Sequence, residues 1–289
     1  MPDNDTLEFS ILDVFTDRPF AGNQLGVVYD ASDLDADQMQ DLAREFGYSE
    51  SIFFLPPSEA LANYRIRIFT PAEELPFAGH PSIGAAVEYV RRNKDRLTAD
   101  PEGTYTVMQE TKAGVMTIVV DGDHAWLTSK AIDLGDDMDA GPLLGAAGLS
   151  ESDQAGAART ASAGLEHYML PVKADAVGRA AAKSGFAPKV YLFNHDLAAG
   201  TAHVRLFGSG LGVPEDPATG SAALCLGVYL FSVGAFKGDG VHELTVSQGA
   251  EMGRPSTLDL KTTVEGGELK SVSVGGSAVT VASGAMRVP

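Results

Sequence analysis

TPAEELPFAGHP, Thr70 to Pro81, joins a short strand to a helix and sets two adjacent acids and a lone histidine beside a glycine. About 140 residues later the chain repeats the arrangement: EDPATGSAA, Glu215 to Ala223, again follows a short strand and opens a helix. Aligning Gly79 with Gly220 puts His80 on Ser221, Pro81 on Ala222, and IGAAVEYV (83–90) on LCLGVYLF (224–231). The strands ahead match as well, Arg67-Ile68-Phe69 against Arg205-Leu206-Phe207. A weak internal repeat with polar groups at both helix starts predicts two similar domains facing one cleft, with function located there.

Length fits this reading, because 289 residues divide naturally into two cores of ordinary domain size. A hydrophobic fraction of 44% is that of a globular protein. The formal charge of −18 comes from 39 acids against 21 bases, with no basic stripe, which argues against nucleic acid or an anionic membrane surface as partner. The single Cys225 excludes an internal disulfide framework and fits a reducing compartment. MPDNDTLEFS is acidic where a signal peptide is basic and then apolar, and the apolar stretch 222–236 is too short to span a bilayer. A cytoplasmic protein is expected.

Along the chain, alternation predicts strands at 7–15, 25–29, 52–55, 64–69, 105–110, 115–120 and 125–129. Asp33 or Asp35 can cap a helix whose Met39, Leu42, Ala43 and Phe46 share one face and which Gly47 ends. The Gly/Ala-rich segment 133–162 reads as a helix with loose flanks. Further strands are expected at 168–172, 190–194, 203–207, 244–247, 256–261, 269–274 and 278–282, with a helix at 221–233. Regular strand–helix alternation is absent, which excludes a doubly wound parallel sheet. The fold class is α+β: two pseudo-symmetric domains, each a curled, mostly antiparallel sheet wrapped around a central helix. The domains are drawn at 1–118 and 119–277.

Several familiar signatures fail. Gly208-Ser209-Gly210-Leu211-Gly212 lacks the last glycine of a dinucleotide fingerprint, and there is no phosphate loop and no G-x-S-x-G elbow. The six histidines are dispersed, so no metal site and no cofactor is expected. What remains is a few reactive groups at element ends. Taken alone, Glu50 reads as a surface loop acid, His80 as a cap or core histidine, Asp216 as a turn residue or N-cap, and Cys225 as a packed thiol.

The chain resembles the phenazine-biosynthesis isomerase family (PhzF-like proteins), which shares the fold of diaminopimelate epimerase. The resemblance runs nearly end to end, through DVFTDRPFAGN (13–23), AREFGYSES (43–51), RIFTPAEELPFAGHPSIGAA (67–86), GVPEDPATGSAA (212–223) and the closing GSAVTVASGAMRV. It implies an active site between the domains, a last strand (278–289) that returns to the first domain, and a homodimer. The family's catalytic Glu, His and Asp fall on Glu50, His80 and Asp216. Gly79 and Ser221 match positions that contact substrate, and Pro81, Ser82 and Gly220 beside them complete the expected binding set. The epimerase's two thiols would stand at Ala78 and Pro217, which excludes a two-thiol mechanism. Gln24 departs from the commoner F-x-G-N-P form.

The family chemistry is a cofactor-free double-bond isomerisation of a small cyclic carboxylate, a dihydro-hydroxyanthranilate in phenazine biosynthesis. It requires one group that both takes and gives a proton, a role the resemblance assigns to Glu50. The helix starts at His80–Ser82 and Ser221–Ala223 offer an anion site without Lys or Arg. The alternatives are a cofactor-free racemase or epimerase of an amino or hydroxy acid, and a non-catalytic small-molecule binder on the same scaffold.

Overall fold

The structure, a computed structural model, describes residues 6–183, 189–208 and 215–289. The first five residues, the glycine run after Gly208 and Gly212–Pro214 of the second motif therefore lie outside the described residues. The chain divides into two compact units, one ending at Leu127 but recovering Gly276–Pro289, the other running from Thr128 to Gly275. The dividing point falls nine residues beyond the expected 118, because the strand at 124–129 stays paired with its hairpin partner at 114–121.

In the first unit, β1 (Thr6–Val14) pairs antiparallel with β2 (Asn23–Val28), and β2 runs parallel to β3 (Glu50–Leu55). Next come β4 (Tyr64–Phe69), antiparallel to β3, with the short β5 (Glu74–Leu75) at its end. β6 (Tyr105–Thr111) is parallel to β4, and β7 (Gly114–Asp121) and β8 (His124–Ser129) continue antiparallel. The end of the last strand lies antiparallel to β1, and its Ala278 N–H reaches the Asp123 carbonyl, so the ladder curls back on itself. The link from β2 to β3 carries α1 (Ala36–Phe46), capped by Asp35 and Gln38 in a reciprocal capping box and closed by Gly47 in the left-handed region.

Within the curl lies α2 (Gly79–Asn93), packed on β1, β2, β3, β4, β6 and β7. Small residues permit this approach: a Cβ on Gly84 would stand 2.6 Å from Leu25 and 2.9 Å from Val14. Residues 79–88 of α2 are all buried, so the helix is core on every side of its first turns.

The second unit repeats the order. β9 (Asp137–Met138) pairs with β10 (Ala158–Ser162), which is antiparallel to β11 (Glu166–Pro171). β11 runs parallel to β12 (Val190–Asp196), β12 antiparallel to β13 (Thr201–Phe207), and β14 (Glu215–Asp216) ends β13 as β5 ends β4. β15 (Gly240–Gln248) is parallel to β13, and β16 (Ser256–Glu265) and β17 (Glu268–Arg287) follow antiparallel. Two short helices, α3 (Gly141–Ala146) and α4 (Ala174–Arg179), pack with one hydrophobic cluster, and α5 (Gly220–Ser232) takes the place of α2.

Two expectations are corrected. In segment 133–162 the α-helix is limited to the six-residue α3, with a 3-10 turn at Glu151–Asp153; the segment opens with the short strand β9 and ends in β10, whose Ala158 and Ala161 are buried. Runs 269–274 and 278–282 form one 20-residue strand. Gly275-Gly276 reads as a break, yet Gly276 stays extended because its missing side chain makes room for the Phe15 ring.

Candidate active site

The first unit assembles its reactive groups around the start of α2. The loop after β1 is tightly wound: Phe15, Phe20 and Gly22 all have positive φ, and the Asp13 carboxylate accepts the Phe20 N–H at 2.7 Å. A side chain on Gly22 would run into the Val14 carbonyl, so glycine is required there. The loop delivers Asn23 to the start of β2, where its Oδ1 accepts from Ser49 at 3.0 Å. With the oxygen so committed, the Asn23 amide nitrogen faces His80 Nδ1 at 3.3 Å.

His80 is 4% exposed. Its Nε2 stands 3.3 Å from the Gln24 carbonyl, which only accepts, so Nε2 carries a proton, and in the neutral tautomer Nδ1 is the acceptor. Glu50, first residue of β3, brings Oε2 to 3.5 Å from that Nδ1 with its own side chain 14% exposed. Glu50 and His80 are thus brought together, and the contact to residue 24 uses its main chain, so Gln24 in place of Pro leaves it intact.

The first intrahelical bond of α2 is from Ser82 N–H to the Ala78 carbonyl, and in α5 from Ala223 N–H to the Thr219 carbonyl. The N–H groups of Ser82 and Ala223 are therefore used inside the helices and do not point past their ends. Pro81 has no N–H to offer. The Ser82 side chain is fully buried, and its hydroxyl donates to the Ala78 carbonyl at 2.8 Å while accepting from Gln109 at 2.8 Å. Among the expected binding residues, Ser82 is thus committed inward.

In the second unit Asp216 closes β14 and is 7% exposed. Thr219 Oγ1 donates to its Oδ2 at 2.5 Å, and Gln248 Nε2 donates to its carbonyl at 2.8 Å. Ser221 meets His167 Nε2 at 3.0 Å. Burial, aided by the Lys189 charge, pushes the His167 imidazole down to about 4, so the ring is neutral at pH 7. Cys225 lies buried in α5 with its sulfur 3.3 Å from the Leu165 carbonyl, and burial pushes its thiol up to about 12. It is a packing residue.

Among the described residues, no group of three or more His, Cys, Asp or Glu side chains is arranged to hold a metal ion, and no helix is long and apolar enough to cross a membrane. Sequence reasoning missed Asn23, His167, Thr219 and Gln248. Asn23 stands in the quoted FAGN stretch, and Gln248 stands where Gln109 does in the repeat, which is the signal that was there to be used.

Two curled sheets, each around a buried helix that opens on a Gly, define the α+β class. The profile of the phenazine biosynthesis-like protein family matches residues 12–284, and the chain belongs to that family. It is 37% identical to an uncharacterized isomerase of Mesorhizobium japonicum, over 96% of this chain and 98% of that one. It is 35% identical to the trans-2,3-dihydro-3-hydroxyanthranilate isomerase of Pseudomonas fluorescens, with the same coverages. The crystal structure of a Bacillus anthracis phenazine biosynthesis protein of the PhzF family superposes with a TM-score of 0.83 at 26% identity, covering 97% of this chain and 99% of the other. The chain is accordingly an enzyme of an isomerase family.

Proposed function

We propose that the chain catalyses a cofactor-free double-bond shift on a small cyclic carboxylate of the trans-2,3-dihydro-3-hydroxyanthranilate type, with Glu50 carrying the proton. The Glu50 carboxylate takes a proton from a ring carbon, the C–H electron pair becomes part of the shifted double bond, and the acid returns the proton to a carbon further along. Substrate and product share one formula, and Glu50 ends as it began. The Glu50–His80 contact is the observation that carries this reading. A Glu50 carboxylic acid faces a ring nitrogen that accepts, so the proton has a second resting place between its removal and its return.

His80 holds the acid in orientation and shares its proton, while Asp216 and Ser221 bind the amine or hydroxyl of the substrate. The first-turn amides from Gly79 and Gly220 favour its carboxylate, each helix end supplying about 0.3–1 kcal/mol. A two-base racemase is disfavoured by the ladder of the second unit. Val190 faces Phe207 as Ser51 faces Phe69, so Lys189 stands at the place that Glu50 fills in the first unit.

The test is Glu50→Gln assayed on trans-2,3-dihydro-3-hydroxyanthranilate by absorbance and by NMR in D2O. Turnover should fall by at least about 10²-fold with an unchanged unfolding midpoint. Near-parental turnover of the variant sinks the assignment. Exchange at the α-carbon of a free amino acid without double-bond movement would make the enzyme a racemase.

A further inference from the structure

Neither central helix is capped in the ordinary way. The N-cap of α2 is Ala78, which has no side-chain acceptor, and the Thr219 hydroxyl at the N-cap of α5 turns to Asp216 instead of to the helix. A capping Ser or Asp would consume a first-turn N–H. Both helices are instead held from behind by a buried glutamine on the neighbouring parallel strand: Gln109 of β6, 0% exposed, and Gln248 of β15, 1% exposed.

Each amide has one orientation. In the first unit Tyr64 Oη donates to Gln109 Oε1 at 3.0 Å, and Gln109 Nε2 donates to Ser82 Oγ at 2.8 Å. Ser82 passes its own proton to the Ala78 carbonyl at 2.8 Å, immediately before Gly79-His80. In the second unit Thr219 N–H donates to Gln248 Oε1 at 3.1 Å. Gln248 Nε2 then donates both to the Asp216 carbonyl at 2.8 Å and to Thr219 Oγ1 at 3.1 Å. The Thr219 oxygen thereby receives one proton and aims its own at Asp216 Oδ2. Every member of both networks is satisfied, which is the condition under which a buried polar network rigidifies its surroundings.

We propose that Gln109 and Gln248 are a matched pair of positioning residues. Gln109 fixes the Ala78–His80 turn, and Gln248 fixes Asp216 and the Thr219–Ser221 turn. The role rests on the reading above that His80 serves the proton transfer and Asp216 binds the substrate. Holding a turn from behind makes the helix end rigid without a capping side chain on the first-turn N–H groups.

The experiment compares Gln248→Met and Gln109→Met, which keep length but not hydrogen bonds, with Thr219→Val, Thr219→Ser and the double variant Gln248→Met/Thr219→Val. Activity is measured on trans-2,3-dihydro-3-hydroxyanthranilate well below each unfolding midpoint. Gln248→Met should lower kcat at least about tenfold, and Thr219→Ser should retain activity that Thr219→Val loses. The double variant should be no worse than the poorer single one, because Gln248 acts through Thr219. A kcat within twofold of the parent, or losses that multiply, overturns the proposal. Should Gln248→Met fail to fold, Gln109→Met and the Thr219 pair decide by the same criteria. Parent enzyme without turnover defeats the functional reading alone. In that case amide hydrogen exchange decides: Gln248→Met must speed exchange at Gly220–Ala222 at least about tenfold while the middle of α5 stays protected, and unchanged exchange overturns the positioning role.

Discussion

Replacing Glu215 by Gln should destabilise the second unit far more than the matching change, Glu74→Gln, destabilises the first. Arg205 is 6% exposed and its Nε and Nη2 donate to the two Glu215 oxygens at 2.7 and 2.8 Å. Glutamine keeps the shape but removes the negative charge and sets an amide N–H against a guanidinium N–H. An uncompensated buried charge costs about 3–5 kcal/mol. Arg205 Nη1 retains the Ala180 and Val177 carbonyls at 2.6 and 3.2 Å, which places the expected loss near the lower end, about 3 kcal/mol. Arg67 and Glu74 make the same bidentate pair, but their side chains are 26% and 19% exposed, so water takes over much of the lost interaction and about 1 kcal/mol is expected. Urea unfolding followed by circular dichroism measures both, with the m-value checked for constancy. In melting temperature the Glu215→Gln change corresponds to roughly 6–12 °C. A loss under about 1 kcal/mol at Glu215, or an equal loss at Glu74, refutes the argument that burial makes the difference.

Three further outcomes follow from the same geometry. Cys225, buried and pushed up to about 12, should be inert to an aromatic disulfide reagent at pH 8 in the folded protein and react fully once unfolded; rapid native labelling contradicts its burial. His167 titrates near 4 when folded against about 6.5 unfolded, so the stability held by its neutral ring is complete above about pH 6.5 and drains away as pH falls toward 4. His167→Gln should flatten the stability difference between pH 7 and 4.5 by about 2–3 kcal/mol in urea midpoints, and identical slopes exclude it. Gly22→Ala should cost at least about 2 kcal/mol through its positive φ and the Val14 carbonyl, and should lower turnover by displacing Asn23; a variant as stable as the parent shows that the loop relaxes without strain.

What the sequence made legible was what acts locally or is repeated. Asp33 or Asp35 and then Gly47 announce both ends of α1, the structure choosing Asp35, and Gly79 and Gly220 mark two helix starts by falling at the same place in the repeat. The failures are contacts made at long range. Gly275-Gly276 carries the signal of a turn, and only the Phe15 ring from the far end of the chain explains why it stays in a strand. The Gly/Ala composition of 133–162 fits helix or strand equally, and the pairing of β10 with β11 decides. Gln109, Gln248 and His167 look like ordinary strand residues, because a side chain's partner is set by the ladder register and by the helix laid across it, neither of which periodicity reveals.

The two units show which parts of the repeat are scaffold and which are chemistry. Held in common are the bidentate Arg–Glu pair at the strand before each helix, the uncapped helix start, and the glutamine behind it. These hold the first turn of each helix in place, a service needed whatever ligand is bound. What differs is what can move a proton. At the strand edge the first unit has Glu50 and the second Lys189; at the second helical residue the first has His80 and the second Ser221. Even the histidines trade places, His80 on the helix beside an asparagine of the strand, His167 on the strand beside a serine of the helix. His167 is held neutral by burial, whereas His80 faces a carboxylate. In the proposed function, Glu50 and His80 of the first unit handle the proton, and Asp216 and Ser221 of the second unit bind. Exchange of a proton between two faces of one carbon calls for a matched pair of bases, and among the described residues the second-unit ladder position that matches Glu50 carries Lys189, not a second carboxylate. The proposed double-bond shift asks for one carboxylate that takes and returns a proton on the same face, the role the proposal gives to Glu50.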